Sequence, residues 1–176
     1  IGDFTMQNNL TGHELVAIGT QAFVNNTGTA IQTVAVGSYA LNADISNGFN
    51  TAVGAFASFS NTTGTSNTAI GSGSQPYNTT GAGNTSVGQA TLFNHRTGNS
   101  NTAIGNASMQ TDTTGIDNTA VGAASLLNNT NGIDNTAIGR SAMNTNKTGI
   151  GNATLGYQSM FSNVSGNWNT AIGSYA

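Results

Sequence analysis

Side chains able to do chemistry are sparse in this 176-residue chain, which carries six acids, three lysines and arginines together, two histidines and no cysteine. Nucleophilic catalysis needs a base within hydrogen-bond reach of the nucleophile and a third group to orient that base. His13 and His95 stand in distant parts of the chain, are expected at the surface, and are paired with no acid in this reading. Replacing Ala120 by Glu is expected to destabilise assembly far more than replacing Asp112 by Ala. Asp117 and Asp134 are the candidates for a metal: they occupy equivalent places 17 residues apart, which would stack them about 4.8 Å apart on one ladder. A hard cation such as Ca²⁺ could bridge them with help from carbonyls. Two solvated turn carboxylates is the preferred reading, so no metal and no cofactor is expected. The absence of cysteine removes disulfides and thiolate metal sites. An enzyme is not expected.

Composition narrows the partners. Three basic residues and no basic run exclude nucleic acid as an expected partner. No run of 18 apolar residues is present, so no membrane insertion is expected. Leu, Ile, Val and Phe make up only 33 residues, a fraction that warns of disorder, but disorder also calls for high net charge and this chain has −3.

Periodicity decides the class. Ten short segments end in glycine, at Gly19, Gly37, Gly54, Gly71, Gly88, Gly105, Gly122, Gly139, Gly156 and Gly173, and from Gly37 onward the interval is always 17 residues. A fixed short period describes one unit stacked on itself. With the glycine fifth, the unit reads N-T-A-[IV]-G-x-x-[SA]-[LM]-x-x-N-T-T-G-x-x, with Asn118-Thr119-Ala120-Val121-Gly122 a clean copy. The expectation is an all-β, left-handed parallel β-roll (a β-solenoid) of ten stacked 17-residue repeats. It forms one continuous domain over residues 1–176 and is read as a fragment of a longer fibrous protein.

The T-A-I segment has the β-branched residues of a strand. Alternation puts Thr and Ile on one face and Ala on the other. Neither face is polar, so both are expected to be covered, one by the coil and the other by further copies of the chain. The column Ala52, Ala69, Ala103, Ala120, Ala137 and Ala171 is assigned to the contact between chains of a homotrimer. A second strand is expected around the Leu or Met anchor four residues past each glycine (Phe23, Leu41, Leu92, Met109, Leu126, Met143, Met160). Ser58 interrupts that column, with Phe56 and Phe59 available to fill its space; Gln75, before Pro76, interrupts it again. The asparagines Asn50, Asn67, Asn84, Asn101, Asn118, Asn135, Asn152 and Asn169 recur at unit spacing and are expected to form a hydrogen-bonded amide ladder.

The N-T-A-[IV]-G motif and the early variant Leu15-Val16-Ala17-Ile18-Gly19 resemble the head repeats of YadA-like trimeric autotransporter adhesins. The longer unit, with N-T-T-G in its second turn, is more similar to repeat regions of phage-type tail-fibre proteins. The resemblance covers about Gly12 to Ala176. It implies an extracellular, trimeric fibre segment, a shaft or head for attachment to a host cell or surface, of tail-fibre type or alternatively the head of a bacterial surface adhesin. The 17-residue unit is longer than the usual adhesin-head repeat, so a turn is enlarged.

Sequence freedom is confined to the turns. Exposed aromatics there stack on sugars or anchor partners, and Tyr77, Phe93, His95 and Arg96 are nominated as a receptor-binding patch for a surface glycan or protein. Lys147, Phe161 and Trp168 are further variable turn residues. The Thr column, Thr51 to Thr170, also raises ice binding, a distant alternative because Val16 and Val34 replace Thr in the first units.

Overall fold

The computed structural model describes residues 1–45 and 48–176. Each unit supplies one strand of three residues: β1 (Val16–Ile18), β2 (Val34–Val36), β3 (Thr51–Val53), β4 (Thr68–Ile70), β5 (Thr85–Val87), β6 (Thr102–Ile104), β7 (Thr119–Val121), β8 (Thr136–Ile138), β9 (Ala153–Leu155) and β10 (Thr170–Ile172). They form a single parallel sheet in sequence order. Register follows the repeat, with Thr102 opposite Thr119 and Ala103 opposite Ala120. The chain is therefore a β-solenoid of about nine turns. No helix occurs among the described residues.

Glycine ends each strand for a steric reason. Gly122 has φ of 132°, and a Cβ built there would lie 2.6 Å from the carbonyl carbon of Gly139 in the next coil. Only glycine allows that conformation and that approach together.

The expected second strand is absent among the described residues. The residues two and four places past the glycine are left-handed, as at Ala124 (φ 55°) and Leu126 (φ 46°), or Ser141 (φ 54°) and Met143 (φ 49°). A backbone that keeps returning to this region cannot extend, and it folds into tight turns that bring the anchor back over the strand. Left-handed conformation costs a non-glycine residue about 1–2 kcal/mol. Burial offsets this: Leu92, Met109, Leu126 and Met143 are fully buried, each contributing roughly 1.5–3 kcal/mol.

The sheet faces also differ from expectation. Ala35, Ala52, Ala69, Ala103, Ala120 and Ala137 lie inside the coil at 0% exposure within a single chain. They pack with the anchors in two apolar clusters, one containing Phe23 and Leu41, the other Leu92 to Met143. Only Ala171, in the last strand, is half-exposed. The Ala column is thus core and cannot be the surface between chains. In a coil this thin, only a small side chain, such as Ala or in β9 Thr154, fits opposite the anchor, so the bulkier aliphatic residues turn outward. Ile70, Ile104, Ile138 and Leu155 are exposed to 39–51%.

Phe56 does not fill the space at Ser58 either. Ser58 is buried, while the Phe56 ring lies on the outside of the coil.

Candidate functional site

Two polar columns hold the coils in register. In the expected one, the Asn118 backbone N–H donates to Asn101 Oδ1 at 3.0 Å, and its Nδ2 donates to the same oxygen at 3.1 Å and to the Gly132 carbonyl at 2.8 Å. The backbone N–H bond to the preceding Asn repeats from Asn67 onward to Asn169. The ladder therefore ties each strand start both to its neighbour and to the turn glycine carbonyl.

The second column is the Asn of N-T-T-G, which sequence reasoning passed over. Asn146 Nδ2 donates to Asn129 Oδ1 at 3.1 Å, and Asn129 Nδ2 to Asp112 Oδ1 at 2.7 Å. His95 belongs here. It is fully buried, with Nδ1 at 2.6 Å from Asp112 Oδ2 and Nε2 at 2.8 Å from the Gly98 carbonyl. This corrects two expectations, since His95 is not exposed and is paired with an acid; Asp112, expected to be a mild site for alanine, is a buried acceptor. The signal was the spacing, because Asp112 stands one unit after His95.

The ladder is interrupted just before this pair. Asn78 Oδ1 has no hydrogen-bond partner among the described residues, nor has Gln75 Nε2 in the same coil. Gln75 replaces the apolar anchor and Ser86 replaces the strand alanine. Ser74 Oγ donates to Ser86 Oγ at 2.8 Å across this polar stretch, which separates the two apolar clusters.

Outside the same coil, three nominated residues come together. Tyr77 and Phe93 meet edge to face with ring centroids 5.2 Å apart, and the Arg96 guanidinium sits 6.0 Å from the Tyr77 centroid. His95 faces inward and is not part of this surface. A second cluster, not foreseen, lies one coil earlier. Tyr39 and Phe56 stack in parallel at 5.0 Å and 3°, with Phe59 packed edge-on against both. Their signal was the unit position: Tyr39 and Phe56 both stand two residues past the glycine, so stacking brings the rings face to face.

Between the two clusters lies a cleft of about 430 Å³ with Gly73 and Pro76 among its walls. Gly73 occupies the position of Tyr39 and Phe56, one coil on, and shares their backbone conformation (φ 59°, 61° and 58°). The ring column stops there, since Ala90 follows at the next position.

Asp117 and Asp134 occupy equivalent left-handed, exposed turn positions, and no group of three or more metal-ligating side chains gathers among the described residues. Trp168 is exposed beyond the sheet, its indole lying against Gly151. Lys147 and Phe161 stand apart from the cleft, on later coils. No helix is long and apolar enough to cross a membrane, among the described residues. No family model, curated protein or solved structure matches the chain.

Proposed function

We propose that this chain is a non-enzymatic segment of an extracellular trimeric fibre, a left-handed β-roll shaft or head of phage tail-fibre type that serves attachment to a host cell or surface. The observation that carries the reading is the outer face of the sheet. Its two columns, Val16 to Thr170 and Ile18 to Ile172, hold Thr, Val and Ile, with Ala153 and Leu155 in β9, and no charged side chain, and much of this surface is open to solvent in one chain. Contiguous apolar surface of this kind marks an interaction site. Three copies meeting on it around one axis would cover a column that the coil, already filled by alanine and its anchors, cannot. The trimer contact therefore moves from the Ala column to the Thr and Ile columns. A bacterial adhesin head would use the same face, and flanking sequence separates the two owners.

Light scattering coupled to size-exclusion chromatography tests the assembly. The expected mass is three times the 17.7 kDa of the chain, and Val121→Glu should return it to one chain that is still folded. A stable, monodisperse wild-type monomer would overturn the reading. The exposed Thr column is also the surface that ice binding would use. The aliphatic column beside it, and Val16, Val34 and Ala153 at Thr positions, favour protein contact. Thermal hysteresis by the wild-type protein would reverse that preference.

A further inference from the structure

The cleft at Gly73 has the shape and chemistry of a sugar-binding site, and we infer that it receives the ring of a carboxylated sugar within a glycan. This rests on the attachment reading for its biological setting and names the ligand class at that same surface. The geometry begins with the stack. Tyr39 and Phe56 stack at 5.0 Å, and Gly73, next in that column, carries no ring, so Phe56 borders an open cleft that Phe93 walls from the following coil. A pyranose suits a cleft of about 430 Å³ walled by these rings, because its C–H face is apolar and its rim carries hydroxyls. Aromatic faces supply the apolar contact, and Ser72 and Gln89 add hydroxyl and amide groups to the cleft lining. Pockets of this kind, mostly apolar with a few polar groups that orient the ligand, are typical of small-molecule sites.

Charge selects among sugars. The chain is acidic overall, at −3, yet no acid lines the cleft, and Arg96 stands over Tyr77 at its side. A carboxylate on the bound ring or its neighbour would meet that guanidinium. A peptide partner is disfavoured by the same surface: strand addition needs a free sheet edge, whereas every strand flanking the cleft, β3 to β6, is paired on both sides.

The test uses titration calorimetry on the assembled chain with oligogalacturonate and with its carboxyl-reduced form. The wild type should bind the acidic oligomer more tightly. Gly73→Phe should extend the ring column into the cleft and weaken binding tenfold or more, without unfolding, since its column already holds Tyr39 and Phe56 in the same backbone conformation. Arg96→Gln should bring the two oligomers to similar affinity, a change of up to about fivefold for an exposed ion pair. Undiminished binding by Gly73→Phe, or a wild type that binds no oligosaccharide on a glycan array, overturns the inference. So does binding to host cells that is lost in Gly73→Phe but not competed by glycans, which would assign the cleft to a protein. Failure here leaves the trimer unaffected, and a glycan-binding monomer would sink the fibre reading while sparing the cleft.

Discussion

The coil from Gly71 to Gly88 and the coils that follow it to Gly156 share one 17-residue plan and opposite distributions of apolar surface. In the later coils the apolar anchors are continuous, with Met109, Leu126 and Met143 over Ala120 and Ala137, and the position two past the glycine carries only Ala90, Ala107, Ala124 or Ser141 outside. In the Gly71 coil Gln75 and Ser86 take the interior places of the apolar anchor and the strand alanine, while the outside is flanked by Phe56, Phe59, Tyr77 and Phe93. Regular coils invest their apolar side chains in stability. The irregular coil gives up part of that burial and borders a cleft, held in place by a filled cluster on either side. A stacked architecture tolerates this because each unit depends mainly on its neighbours.

The two kinds of glycine should separate most sharply. Gly122→Ala forces a Cβ to 2.6 Å from the next coil's backbone and should cost more than about 4 kcal/mol, an exceptional loss for one substitution. At Gly73 the nearest atom to an added Cβ is a Phe93 ring carbon at 3.5 Å, so Gly73→Ala should cost only about 1–2 kcal/mol. Equal losses in urea denaturation would show that the Gly71 coil is as tightly constrained as the rest.

Asp112 comes next. Its loss strands the His95 ring, the Asn129 amide and the Gly115 N–H, and Asp112→Ala should cost about 3–5 kcal/mol, as expected when one partner of a buried pair is removed. Asp117→Ala, at an exposed turn, should stay within about 0.5 kcal/mol. Thermal melting of the two variants side by side checks the contrast.

Core substitutions should even change sign between the regions. Leu126→Ala should destabilise by about 2–5 kcal/mol. Gln75→Leu removes a buried amide nitrogen that lacks a partner and should stabilise by about 1–3 kcal/mol. A destabilised Gln75→Leu would mean that the polar interior of this coil is itself required for the fold.

Much of this plan was legible in the repeat. The period placed the strands, their register, the Asn50 to Asn169 ladder and the odd coil. Alternation identified which residues share a face but not which face turns inward, because Ala and Ile are both apolar and only the width of the coil decides. Left-handed Leu and Met were not readable, since such residues avoid that region unless stacking and burial hold them there. The His95–Asp112 pair was readable from its 17-residue spacing, as was the aromatic column from Tyr39 to Phe56. The cleft needed the fold, because it is defined by a side chain that Gly73 lacks.

Cysteine cross-linking tests most directly which face joins the chains, and the protein has no cysteine of its own to confuse it. Ala103 and Ile104 are adjacent, one buried in the coil and the other on the open face. Under mild oxidation, Ile104→Cys chains should form disulfide-linked species on a non-reducing gel, while Ala103→Cys chains should remain single. Cross-linking through Ala103→Cys, or none through Ile104→Cys, would contradict assembly on the Thr and Ile columns.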